Sequence, residues 1–260
     1  MNNTSPFKKK RLKGLSLNRM IPNMVTLLAL SAGLTAIRFA LEGRWEHAVL
    51  AVVAAAILDA LDGRVARLLK GASKFGAELD SLSDFVCFGV APALILYLWT
   101  MRDAGKLGWV LVMLFTICCG LRLARFNVML EDPDAPVWKN RFFSGIPAPM
   151  GGLLVLLPLV FSLQVGDGLF RQPWVAGVFL LTLAGMMVST IPTFSFKKLK
   201  VSRKWILPTM LITGGVGVSV INAPWVSLSL LGVAYITTIP FSIRAHQGLV
   251  KSDADGKNNA

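Results

Sequence analysis

The chain has 260 residues, of which 54% carry hydrophobic side chains and only 16% are charged. That is far too apolar for a soluble domain of this length and describes a protein that crosses a membrane several times. The formal net charge of +13 does not point to nucleic acid, because the basic residues are shared out among connections between apolar runs and form no single stripe.

Residues 1–21 carry KKKRLK and read as a basic juxtamembrane segment facing anionic lipid headgroups. The apolar run that follows has the length of a spanning helix and no small-residue cleavage site, so it is expected to be retained. Runs of about twenty apolar residues suit helices crossing about 30 Å of hydrocarbon. The sequence predicts eight, at 22–41, 45–69, 79–100, 107–129, 146–165, 173–191, 205–221 and 224–243, followed by a polar tail over 244–260. Pro158 and Pro208 fall inside predicted spans, where neighbouring helices can satisfy the freed carbonyls. Cys87, Cys118 and Cys119 all lie in apolar runs, which suits buried thiols and offers neither a disulfide framework nor a zinc spacing.

Orientation follows from the positive charges. With the N-terminus in the cytoplasm, residues 1–20, 64–74, 122–141, 197–204 and 244–260 carry 22 of the 27 Lys and Arg, leaving only Arg38, Arg44, Arg102, Lys106 and Arg171 outside. This asymmetry supports both the spans and the orientation.

Four aspartates stand out against this apolar background. Residues 59–84 read DALDGRVARLLKGASKFGAELDSLSD, with Asp59 and Asp62 three apart and Asp80 and Asp84 four apart. On helices, each pair presents two carboxylates on one face, and two such faces turned together make a cage of oxygen ligands. Such a cage suits a hard divalent cation, Mg²⁺ or Mn²⁺, and the lack of nearby His or Cys argues against zinc. A lone D-x-x-D is usually a solvated face. Four acids in register at a membrane boundary are costly unless they are used. Gly63 and Gly76 are expected to let helices two and three cross closely, and Arg64 and Arg67 add guanidinium forks suited to a diphosphate.

A second constellation follows the fourth span in RLARFN. Arg122 and Arg125 are neighbours on one helix face, Asn127 comes next, and FSGIPAP introduces span five. Arginines at span ends often only snorkel to the interface. A pair followed by Asn127 and a rigid Gly–Pro segment is instead a candidate anion site.

These residues carry a resemblance. The pattern D-x-x-D-G-x-x-A-R, eight residues, then G-x-x-x-D-x-x-x-D is met at Asp59, Asp62, Gly63, Ala66, Arg67, Gly76, Asp80 and Asp84, and it is the signature of the CDP-alcohol phosphotransferase family. The RLARFN run and the following F-x-G-x-P-x-P resemble the phosphatidylserine synthase branch. The resemblance implies an all-α polytopic membrane protein with a six-helix catalytic core over 22–191 and two further helices over 192–243. It implies transfer of a phosphatidyl group from CDP-diacylglycerol to the hydroxyl of L-serine, releasing CMP at the cytoplasmic face of a bacterial inner membrane, by a homodimer. By resemblance Asp59, Asp62, Asp80 and Asp84 hold the metal, and Asp84 is also the base. Gly63, Ala66, Arg67 and Gly76 would line the CDP donor, and Arg122, Arg125 and Asn127 the serine. Glycerol 3-phosphate or inositol phosphate is the alternative acceptor, since a basic pocket serves a phosphate as well as a carboxylate. A divalent-cation transporter is the alternative of another class, and it would want acids near the bilayer midplane with a polar path to both sides.

Overall fold

The computed structural model describes residues 17–69, 71, 73–130, 142–189, 192–194, 215, 218–220 and 222–239. The basic segment before residue 17, the tail after 243 and most of the predicted seventh span lie outside them. The described residues form an all-α membrane fold with one short two-stranded ribbon.

Helices α1 (Leu17–Leu41) and α2 (Trp45–Leu68) form a hairpin. The turn is closed by the Arg44 N–H on the Phe39 carbonyl at 2.9 Å and the Gly43 N–H on the Ala40 carbonyl at 3.1 Å, with Gly43 at φ 70°. A residue with a Cβ pays a steric cost in that left-handed conformation, so glycine fits the turn. Ala29, Ala36 and Ala40 of α1 and Ala48, Val52 and Ala55 of α2 are buried, while Leu28, Leu34, Leu50 and Ile57 are exposed. Small residues inside and large ones outside suit helices whose outer solvent is lipid, because close backbone approach then drives packing.

A single helical rod follows. Helix α3 (Lys74–Asp84) begins at an N-cap where the Ser73 hydroxyl accepts the Gly76 N–H at 3.0 Å. It passes without a break through a π-helical turn over Phe85–Val90 into α4 (Ala91–Trp99), where the Ala91 N–H bonds the Val86 carbonyl five residues back. The third span therefore starts about one turn earlier than the sequence predicts, and it carries Asp80 and Asp84 within its own first turns. A 3₁₀ turn over Met101–Ala104 leads into α5 (Gly105–Leu130).

The predicted fifth span is two helices, α6 (Ala148–Val155) and α7 (Leu157–Val165). Pro158 has no N–H to continue the ladder, so the chain tightens at Leu156, whose N–H bonds the Leu153 carbonyl at 3.2 Å. Helix α8 (Pro173–Val188) follows, and the strands β1 (Phe142–Ser144) and β2 (Pro192–Phe194) pair antiparallel. The last described helix, α9 (Pro224–Ile239), is docked on α7. The Gln164 amide donates to the Trp225 carbonyl at 3.0 Å, and a Cβ on Gly232 would lie 2.8 Å from Leu157 Cδ2.

Among the described residues, four stretches are long and apolar enough to cross a membrane: Met20–Leu41, Lys74–Trp99, Met101–Met129 and Ala148–Val165. Pro173–Val188 and Pro224–Ile239 are shorter apolar helices. Helix α2, of similar length to the four, carries Glu46, Asp59, Asp62, Arg64 and Arg67 and is not among them.

Candidate active site

The end of α2 and the start of α3 meet beside the first turns of α1. There Asp59, Asp62 and Asp80 each offer one carboxylate oxygen, and the three oxygens lie within 4.8 Å of one another. Metal–oxygen bonds of 2.0–2.1 Å place ligand oxygens no more than about 4.2 Å apart, so closure by a few tenths of an ångström would seat Mg²⁺ or Mn²⁺. Asp84 stands one turn beyond Asp80 and is not in this close group. Its carboxyl faces that of Asp59, with Asp80 and the Arg122 guanidinium within electrostatic range. One of its oxygens, Oδ1, is buried with no hydrogen-bond partner among the described residues. An orphaned carboxylate oxygen in a low-dielectric site is costly unless a cation or a proton donor from a ligand meets it.

Helix α1 contributes residues that the sequence reading missed. The Thr26 hydroxyl donates to Asp62 Oδ2 at 2.6 Å, and both residues are buried. The Ser83 hydroxyl donates to the Thr26 carbonyl at 3.4 Å, which ties α3 to the same point. Asn23, three residues before Thr26, places its Oδ1 2.8 Å from where a Cβ on Gly76 would stand. The signal was present as two polar side chains three apart in the apolar run after Pro22, on one face of a membrane helix. Thr26→Val removes the hydroxyl while keeping the shape, and hydrogen bonds to charged groups are worth about 1.5–3 kcal/mol. We expect it to raise the Mn²⁺ concentration for half-maximal activity about tenfold, with Thr26→Ser near wild type.

Two cavities flank the end of α2. The smaller, about 170 Å³, is lined by Asn23, Thr26, Asp62, Gly63, Ala66, Gly76 and Asp80 among others. The larger, about 1050 Å³, has apolar walls from α2, α6, α7 and α9, with Arg64 and Arg67 at its polar edge. The sequence grouped Arg67 with Gly63, Ala66 and Gly76, but the structure divides them. The three small residues line the cleft beside the carboxylates, and Arg67 lines the larger cavity.

The glycines also differ from expectation. Among the described residues a Cβ on Gly63 would meet nothing within 4 Å, so this glycine leaves open space and does not serve a crossing of the described helices. Gly76 admits Asn23 of α1, not α2. Helix α1, packed against both, brings α2 and α3 together.

The second constellation separates in the same way. The Arg125 guanidinium donates to the carbonyls of Val188 at 2.9 Å and Ser189 at 3.0 Å, and so caps the C-terminal end of α8. The Asn127 amide donates to the Ser81 hydroxyl at 2.9 Å, which ties α5 to α3 between Asp80 and Asp84. Both contacts hold helices together. Arg122 is different, at 8% exposed, with Nε buried and without a hydrogen-bond partner among the described residues, and its charge within range of Asp84.

The comparisons agree with this geometry. The pattern of the CDP-alcohol phosphatidyltransferase family matches residues 19–186. A Mycobacterium tuberculosis protein named CDP-diacylglycerol–serine O-phosphatidyltransferase is 36% identical over 244 residues, which is 94% of this chain and 85% of the relative. Proteins of the same name from Mycobacterium leprae, 38% identical over 89% of this chain and 77% of the relative, and Helicobacter pylori, 38% identical over 70% and 74%, also match. With the aspartate signature assembled at one end of α2 and α3, and the family pattern spanning α1 to α8, this chain belongs to the CDP-alcohol phosphatidyltransferase family.

Proposed function

We propose that the protein transfers the phosphatidyl group of CDP-diacylglycerol to the hydroxyl of L-serine, giving phosphatidylserine and CMP. The observation that carries this reading is the close group of Asp59, Asp62 and Asp80, with the Asp84 carboxyl facing Asp59 and the buried Arg122 guanidinium within electrostatic range of Asp84. The names of the similar bacterial proteins support the choice of serine.

In this reading Asp59, Asp62 and Asp80 hold Mg²⁺ or Mn²⁺, and Asp84 adds its orphaned oxygen to the same centre. A bound divalent ion neutralises the donor diphosphate and stabilises CMP as it leaves. The open space at Gly63, Ala66 and Gly76 takes the nucleotide. Arg67, with Arg64, pairs with phosphate at the mouth of the larger cavity, whose Leu and Val walls take the acyl chains. Arg122 holds the serine carboxylate, and Asp84 accepts the proton of the serine hydroxyl. The hydroxyl oxygen bonds to the phosphatidyl phosphorus as the bond from that phosphorus to the CMP oxygen breaks. Arg125 and Asn127 act by holding α8 and α3 in place.

The Lys and Arg distribution supports an active site on the cytoplasmic side of a bacterial inner membrane, where CMP and Mg²⁺ are soluble. We assign residues 22–191 to the catalytic core and 192–243 to two accessory helices, in a homodimer joined through the membrane.

The test follows CMP release by the purified protein in detergent with CDP-diacylglycerol and Mn²⁺, adding serine, glycerol 3-phosphate or inositol phosphate separately. Serine-dependent release is expected, with Arg122→Lys raising the KM for serine and Arg125→Lys leaving it unchanged. Release with only a phosphorylated acceptor would overturn the serine assignment and keep the donor site.

A further inference from the structure

The larger cavity has two unlike ends. On its α2 wall the exposed Arg64 and Arg67 stand at one end and Val49 at the other. From Val49 to Arg64 the helix advances about 22 Å, at about 1.5 Å per residue. The α6–α7 wall runs the opposite way. Gly152 of α6 packs on Phe88, just beyond Asp84, so α6 begins at the level of the carboxylates and Val160 of α7 lies at the far end. Helix α9 is antiparallel to α7, because the Gln164 amide meets the Trp225 carbonyl while Gly232 closes on Leu157. This register puts Leu228 at the level of Val160.

The ends also differ in cover. Val49 and Val160 are buried, whereas the arginines and Leu231 are exposed. The cavity is therefore a slot, open at its charged end and along α9, and blind at its apolar end. The family pattern stops at residue 186, so the α9 wall is an addition to it. A guanidinium mouth over a long apolar slot suits an amphiphile with a phosphate head and hydrocarbon tails. An extended chain advances about 1.25 Å per carbon, from bonds of about 1.5 Å at tetrahedral angles. About 22 Å therefore takes the glycerol ester linkage and a tail of roughly fourteen to sixteen carbons.

We propose that this slot is a length gauge for the acyl chains of the donor, with Val49, Val160 and Leu228 as its end stop. The proposal rests on the phosphatidyl-transfer reading above and adds to it a preference among donors. A chain that is too long must fold back or leave along α9, and one that is too short leaves a void at the blind end.

The test offers the full chain, in micelles of fixed lipid content, an equal mixture of CDP-diacylglycerols with twelve-, sixteen- and twenty-carbon chains. Bound donor is read by native mass spectrometry, and CMP release with serine and Mn²⁺ is followed for each donor separately. The wild type should favour sixteen carbons over twenty by about fivefold, about the cost of mild overpacking. Val53→Phe raises the floor by about one helical turn, or about four carbons, and should move the preference to twelve. Val160→Ala deepens the blind end and should bring the twenty-carbon donor within about twofold of the sixteen. Each profile is a ratio within one preparation, so a loss of folded protein cancels. The same profile in the wild type and both variants would overturn the gauge. Equal occupancy by phosphatidylethanolamine of matching chains would overturn it too, making the slot a seat for bulk bilayer lipid. Donor binding that follows chain length, beside a wild type that releases no CMP with serine, would uphold the gauge and sink the serine reading.

Discussion

Replacing Asp84 by asparagine is expected to cut CMP release by about 10²–10⁴-fold, the range for loss of a general base, while leaving the protein folded. Asp84 contributes little to holding the fold. Its Oδ1 is buried with no partner among the described residues, and the carboxyl faces Asp59 with Asp80 nearby, so the described structure gains nothing from its charge except proximity to Arg122. Like charges gathered in a low-dielectric site repel, and sites built for chemistry commonly cost stability that a neutral isostere returns. The melting temperature of the metal-free variant in detergent should therefore equal or exceed that of the wild type. Activity and melting temperature falling together would make Asp84 a structural residue. Asp62 offers the contrast, because its carboxylate accepts the Thr26 hydroxyl and is already engaged by the fold.

The sequence showed the chemistry well and the neighbours poorly. Three- and four-residue spacing settles which carboxylates share a helix face, so Asp59 with Asp62 and Asp80 with Asp84 were readable, as were the apolar lengths of α1, the α3–α4 rod, α5 and α6–α7. Spacing does not say what a face meets. Arg125 and Arg122 are equivalent in sequence, and only the return of α8, more than sixty residues later in the chain, gives Arg125 two carbonyls to cap. Gly63 and Gly76 both read as close-packing positions, yet one borders open space and the other borders Asn23. Arg67 and Ala66 are adjacent in sequence and line different cavities, because adjacent residues on a helix point about 100° apart. Asn23 and Thr26 were visible as polar residues in an apolar run, but their meaning depended on α1 being the helix that joins α2 to α3.

Two glycines divide the work of folding from that of binding, and substitution should separate them. A Cβ on Gly152 of α6 would stand 2.8 Å from Phe88 Cα, Cβ and carbonyl oxygen. Two of those three atoms are backbone, so no side-chain rotation relieves the contact. Phe88 lies in the π-helical turn that begins at residue 85, directly after Asp84, and a displaced turn carries the aspartate with it. Gly152→Ala is expected to cost about 1–3 kcal/mol through overpacking and to lower the apparent melting temperature by several degrees, with Gly152→Val yielding little folded protein. Gly63→Ala meets nothing within 4 Å and replaces a helical glycine, which favours the helix by up to about 1 kcal/mol. Its melting temperature should hold or rise, while the KM for CDP-diacylglycerol climbs about tenfold as the methyl enters the space left for the nucleotide. Thermal melts in detergent beside donor titrations decide both. A destabilised Gly63→Ala would mean that α2 packs against something at that point. A Gly152→Ala of wild-type stability would mean that α6 can slide on the π turn without disturbing Asp84, and the turn would then have no part in setting the catalytic geometry.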